Sequence, residues 1–241
     1  MLASSLILTA FKIFFRGELI ADTLIEAALL FLASFLAWAL ARELDPDRVT
    51  RAYLAQGLVI PVWLFIGPIP ILPSSIVLLS SRYLSRISGK GWTLWDRLLL
   101  LISAIGIMLF FQNPVFGFFG GLIFAVDGCL DKNFKNNILL SATAITLSFT
   151  YTLFVWHPKP LYSSSAELLF LGVIGAISLV RIRRLRTVKS LTDQNELPVQ
   201  PKRLRAAILL AVLLPLISIG FLTGDFNQFT LLLITLVTSA L

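Results

Sequence analysis

The chain has 241 residues, 57% of them hydrophobic and only 14% charged, with a formal net charge of +7. An ordinary soluble domain carries about a quarter charged residues, so a chain this apolar, with a mean hydropathy of +0.89, is expected in lipid rather than in water. Its basic residues sit in short loops between apolar runs, the pattern of cytoplasmic loops, and no exposed basic domain is present to hold nucleic acid.

Crossing about 30 Å of hydrocarbon takes about 20 helical residues. Residues 2–15 form a first apolar run, with Lys12 placed to snorkel. No basic residue precedes that run and no small-residue cleavage site follows it, so it reads as a retained short helix. Residues 20–41 are the first long span and contain an intramembrane carboxylate, Glu26. Ionisable groups at such depth are costly and are functional candidates; the sequence offers Lys12, Arg16 and Gln56 as partners for Glu26.

Residues 42–51 come next, with Arg42, Glu43, Asp45, Asp47, Arg48 and Arg51. The second apolar block, 52–81, is crowded with Pro61, Pro68, Pro70 and Pro73, and reads as a helical hairpin turning at Gly67-Pro68-Ile69-Pro70. Its arms are only about 13 to 16 residues long, short of a full span, so a re-entrant hairpin is an open alternative. The loop 82–97 carries Arg82, Arg86, Lys90 and Arg97, and Thr93 with Asp96 has the spacing of a capping box. The block 98–130 reads as a second hairpin with Gln112-Asn113-Pro114 at its tip. Asp127 lies near the end of its return arm, within reach of Lys132 and Lys135.

Residues 138–156 and 166–180 are two further spans joined by an outer loop that holds the single histidine, His157, read as solvated loop. The segment 181–205 is the strongest basic anchor and is placed in the cytoplasm. Within it, Thr187 to Pro201 resembles a soluble linker. A span over 206–222 and a short re-entering run over 229–241 complete the chain. The lone Cys129 can form neither an intramolecular disulfide nor a CxxC metal site and reads as a small buried hydrophobe.

These elements predict an all-α, polytopic membrane helical bundle of about eight to ten segments, two of its pairs being short proline-broken hairpins. The whole of 1–241 is one transmembrane domain, in a plasma membrane of prokaryotic type. Loops 42–51, 82–97, 131–137 and 181–205 face the cytoplasm. The lipid bilayer is the expected partner, with other membrane subunits or anionic lipid headgroups beside it.

Two clusters could carry chemistry. Glu43, Asp45 and Asp47 form an acidic group at the membrane surface. Arg82, Arg86, Lys90 and Asp96 lie one hairpin later on the same side. One reading gives the first cluster a local role, with Asp45 capping the next helix and Asp47 complementing its dipole. Another gives it Mg²⁺, held by Asp45 and Asp47 against a lipid phosphate bound by Arg82, Arg86 and Lys90. That would make the protein an enzyme acting on a phosphorylated prenyl or glycerol lipid. A third pairs the two clusters as an ion-pair lock, favoured because every charge finds an opposite partner. No aspartate-rich pair of prenyltransferase type, no Asp-Gly-Ala-Arg run and no Gly-x-Ser-x-Gly elbow is present. A transport or carrier-type protein, or a subunit of a larger assembly, without a metal or cofactor, is therefore expected ahead of the enzyme.

Overall fold

The computed structural model describes residues 20–87, 93–130, 134–156, 165–185, 187–192, 198–221 and 226–240. Among these it is all-α. Nine α-helices succeed one another as α1 (Ile20–Leu44), α2 (Val49–Ile66), α3 (Leu72–Ser85), α4 (Leu94–Phe111), α5 (Val115–Leu130), α6 (Phe134–Phe154), α7 (Ser165–Arg184), α8 (Pro201–Phe221) and α9 (Thr230–Ala240), with a 3₁₀ turn over Phe226–Phe229 before α9. Four of them, over Asp22–Leu44, Val49–Ile66, Leu94–Phe111 and Asn136–Phe154, are long and apolar enough to cross a membrane. The run 2–15 and residues Lys90, Lys132 and His157 lie outside the described residues. Cys129, expected to be buried, is exposed at the end of α5.

The block 98–130 forms its hairpin, with α4 packed on α5. The block 52–81 turns at Gly67, but among the described residues its two arms pack on other helices rather than on each other, α2 on α1 and α9 and α3 chiefly on α1 and α8. The expected arm lengths also need a correction. The first arms, α2 and α4, have 18 residues each, about 27 Å of helix, because each begins inside its charged loop. α4 starts at the predicted capping box: the Thr93 hydroxyl accepts from the Asp96 N–H, and the Asp96 carboxylate accepts from the Thr93 N–H at 2.8 Å. The return arms, α3 and α5, are shorter, at 14 and 16 residues. The first turn needs glycine, since Gly67 has φ +94°, a region that costs a side chain. At the second tip, Asn113 accepts from the Val115 N–H and donates to Ser218 Oγ at 3.0 Å, which seats the tip on α8.

Position in the bundle goes with length. α3 is buried on nearly every side, with ten of its 14 residues enclosed, and packs against α1, α4, α5, α8 and α9. α9 has 11 residues, about 16 Å of helix, and lies among α1, α2 and α7. Helices too short to span are tolerated where protein rather than lipid surrounds them. Several of their hydroxyls are satisfied within the helix: Ser80 donates to the Ile76 carbonyl, Thr235 to Leu232 and Ser239 to Leu236. α2 is the opposite case. Only four of its 18 residues are buried, and Leu58, Leu64, Phe65 and Ile66 stand exposed, a surface suited to lipid.

The close approach of α5 to α6 depends on missing side chains. Gly117 and Gly121, four residues apart on one face, meet α6; Gly120 meets α4. A Cβ at Gly117 would lie 2.1 Å from Ser148 Oγ, at Gly121 2.6 Å from Ile145 Cγ1, and at Gly120 2.7 Å from the Ala104 Cβ. Small residues let membrane helices gain van der Waals contact where no hydrophobic force drives them together. Gly117→Ala is expected to cost about 1–3 kcal/mol by overpacking. Gly57→Ala, where an added Cβ meets nothing within 4 Å, is expected to be neutral or stabilising. Thermal unfolding of the two variants in detergent checks this, and equal losses would refute the tight α5–α6 seam.

Candidate functional site

The basic loops meet at one end of the bundle, where three carboxylates are held by arginines from other helices. The first is Glu43, in the last turn of α1. It accepts from Arg82 Nε and from Ser85 Oγ, both at 3.1 Å, joining α1 to α3. Arg82 is half-exposed and Glu43 largely buried.

The second is Asp45, just past α1. Arg51 Nη1 reaches it at 2.7 Å and Arg181 Nη2 at 3.5 Å. The same two guanidinium groups also satisfy helix C-termini, which leave carbonyls without partners. Arg51 donates to the Ser239 carbonyl at 2.8 Å and Arg181 to the Leu44 carbonyl at 2.6 Å. One carboxylate thus gathers α1, α2, α7 and α9. This corrects the capping reading. α2 starts after Arg48 with no side-chain cap, because the Asp45 carboxylate is turned toward the two arginines.

The third is Asp127, near the end of α5, with a side chain 1% exposed. Arg203 Nη1, itself 4% exposed, lies 2.7 Å away, and Arg86 Nη2 lies at 3.5 Å. Asn137 donates to it at 2.9 Å and accepts from the Tyr83 hydroxyl at 3.3 Å. These partners come from α8, α6 and the end of α3; Lys132 and the side chain of Lys135, which the sequence suggested, lie outside the described residues. Arg86 ends α3 at φ 52° and ψ 32°, a left-handed position usually filled by glycine. That turn separates it from Arg82: the two arginines, one helical turn apart in sequence, serve different carboxylates.

The segment before α8, read from sequence as a soluble linker, is instead a strap across this end. Asp47 accepts from the Lys189 N–H at 3.1 Å, from the Ser190 N–H at 2.8 Å and from the Ser190 hydroxyl at 2.6 Å. Arg205 binds the Leu185 carbonyl, and Val199 is buried.

Of the residues singled out by sequence, Glu43, Asp45, Asp47, Arg82, Arg86 and Asp127 therefore come to one end. Asp96 lies at the start of α4, engaged in its capping box. Glu26 does not join the cluster: it lies 17 residues before Glu43 on the same helix, about 26 Å away, and is half-buried. Arg51, Arg181 and Arg203 were legible only as markers of membrane orientation. Their signal was position alone, since each flanks the end of an apolar run.

The Mg²⁺ reading does not fit this geometry. Asp45 faces two guanidinium groups, Asp47 faces the strap N–H groups, and Arg82 and Arg86 are engaged by Glu43 and Asp127. Among the described residues no three His, Cys, Asp or Glu side chains form a metal-ligating group. Between α2 and α7, an open cleft of about 420 Å³ is lined by Arg48, Arg51, Arg181, Arg184, Asp45 and Asp47. Comparison with known protein families, with curated proteins and with solved structures finds no match for this chain.

Burial sets the order of the ion pairs. Arg203→Met leaves a buried charge short of its partner and is expected to cost about 3–5 kcal/mol. The Glu43–Arg82 pair, with its half-exposed guanidinium, is expected to couple by no more than about 1 kcal/mol. Double-mutant cycles for both pairs, read by unfolding in detergent, check the order. The strap responds to pH. Burial of Asp47 raises its pKa, but the Ser190 hydroxyl, the Lys189 and Ser190 N–H groups and the Lys189 charge outweigh it and hold the carboxyl below its ordinary 3.8. A lowered folded pKa means that the strap contact is complete above pH 3.8 and is lost as pH falls through the lower folded value. Proteolysis of the strap by an acid-active protease should stay slow at about pH 5 and quicken only below that window. Asp47→Asn should make it fast at both.

Proposed function

We propose that the protein is a non-catalytic, multi-pass carrier of a prokaryotic-type plasma membrane, with its charged end in the cytoplasm. The observation that carries this reading is the way the charges are used. Glu43, Asp45 and Asp127 each tie helices together across the same end, where a carrier needs a gate that closes and can reopen. The basic loops around these pairs, with Arg82, Arg86, Arg181 and Arg203, favour the cytoplasmic side for that end. A gate of ion pairs suits this purpose because its partners can be exchanged for water without breaking a packed apolar core. Glu43–Arg82, half-exposed, is the outer contact; Asp127 with Arg203 and Arg86 is the inner one.

The enzyme reading lacks a free carboxylate pair, since Asp45 and Asp47 face separate partners. An assembly-subunit reading needs no opening at all, and this separates it from the carrier. Ser81, 1% exposed on α3, immediately precedes Arg82 of the outer pair. In a Cys129→Ala background, Ser81→Cys should react slowly but completely with a membrane-impermeant maleimide applied from the cytoplasmic side. Glu43→Gln should speed that reaction several-fold. A static subunit would leave position 81 unlabelled in both backgrounds.

A further inference from the structure

The cleft between α2 and α7 differs from the rest of the charged end in its balance of charge. Around Glu43 and Asp127 each carboxylate is enclosed by its partners. In the cleft, four arginines face two aspartates. Arg51 and Arg181 share Asp45, and Asp47 is turned to the strap. Arg48 and Arg184, both exposed, have no carboxylate at ion-pair distance among the described residues. The lining therefore carries two positive charges in excess. A volume of about 420 Å³ falls in the range of small-molecule sites, about 300–1,000 Å³.

The cleft also opens onto an apolar stripe. Ile177 and Val180 line its inner wall, and Val173, Ile177 and Val180 are exposed on α7 at 49%, 44% and 48%. Their spacing of four and three residues puts them on one face of the helix, leading away from the arginines along α7. Guanidinium groups match the oxygens of a phosphate by paired, charge-assisted hydrogen bonds. A phosphomonoester carries about −1.5 to −2 at neutral pH, which matches the surplus; a phosphodiester carries only a single charge.

We infer that the α2–α7 cleft binds the phosphomonoester headgroup of a membrane lipid, with Arg48 and Arg184 as the capturing pair and the acyl chain along Val173, Ile177 and Val180. Arg51 and Arg181 form the floor, each already oriented by Asp45 and by a helix-end carbonyl. The consequence of binding rests on the carrier reading: an anion entering the cleft competes with Asp45 for Arg51 and Arg181, and so loosens the contact that holds α1, α2, α7 and α9 together.

Native mass spectrometry of the full chain in detergent, with phosphatidic acid, phosphatidylglycerol or phosphatidylcholine added, tests the site. Phosphatidic acid is expected to bind about tenfold more tightly than phosphatidylcholine, the effect of one charge-assisted contact, and more tightly than phosphatidylglycerol. The double variant Arg48→Gln, Arg184→Gln should lose that preference while its melting temperature holds, because neither side chain is needed to neutralise a carboxylate. Arg183→Gln, at an arginine that does not line the cleft, should keep the preference. Should the double variant fold poorly, Arg184→Lys, which keeps the charge but not the planar fork, should weaken phosphatidic acid selectively. Equal binding of the three lipids, or an unchanged preference in the double variant, overturns the site. Binding of inorganic phosphate at millimolar concentration with no lipid preference would overturn the lipid source and assign the cleft to a soluble phosphate. If phosphatidic acid binds as expected but position 81 is never labelled, the carrier reading fails and the site stands. Labelling without lipid preference has the reverse meaning.

Discussion

Burying a carboxylate in a helical bundle is costly unless a cation and further hydrogen bonds meet it, and the charged end of this protein is organised by that constraint. Glu43 draws α3 to α1. Asp45 gathers α1, α2, α7 and the end of α9. Asp127 gathers α3, α5, α6 and α8. Eight of the nine described helices are thus fastened by three acidic side chains. The ninth, α4, is held by other means: it meets Gly120 through Ala104, and the tip that comes after it is seated on Ser218. The arginines do more than neutralise. Arg51 and Arg181 also satisfy carbonyls at helix ends, so each joins electrostatics to backbone hydrogen bonding at one point.

Packing and charge divide the molecule between them. Along the α5–α6 seam, glycines bring the helices so close that one added methyl has no room. In the core, Ser80 of α3 and Thr235 and Ser239 of α9 turn their hydroxyls back onto their own helices. Those regions resist change. At the charged end the contacts are polar and can be exchanged for others, and in the cleft the arginines outnumber the carboxylates. Around Asp127 the charged groups are buried; the α2–α7 cleft stays open, and its surplus of positive charge is what the inferred anion would complement.

Much of this layout is legible in the chain itself. The helix breaks at Gly67-Pro68 and Gln112-Asn113-Pro114 and the capping box of Thr93 and Asp96 come from local rules. Glycine and proline break helices, and hydroxyl and carboxyl groups at the right spacing cap them. The ion-pair lock between Glu43 and Arg82 was among the expected readings. The starts of α2 and α4 differ from expectation because hydropathy marks the apolar part of a helix, and both helices have an arginine in their first turn, Arg51 and Arg97, inside the charged loops. The strap was misread because its composition is that of a linker, while its attachment depends on Asp47, which lies 142 residues earlier.

By itself the sequence determined the all-α class and the apolar helices long enough to cross a membrane, since these depend on neighbouring residues and on the cost of placing charge in lipid. It did not determine which arginine meets which carboxylate. Asp45 had Arg42, Arg48 and Arg51 nearby in sequence and Arg82 as a candidate across the hairpin, yet it meets Arg51 and Arg181. Asp127 is held by Arg203 from α8 and Arg86 from the end of α3, 76 and 41 residues away in sequence. An ion pair forms between side chains whose backbones the packing brings within a few ångströms, and for helices far apart in sequence that distance is set only when the bundle closes. The surplus of positive charge in the α2–α7 cleft has the same origin: it is what remains once the tertiary structure has assigned the partners.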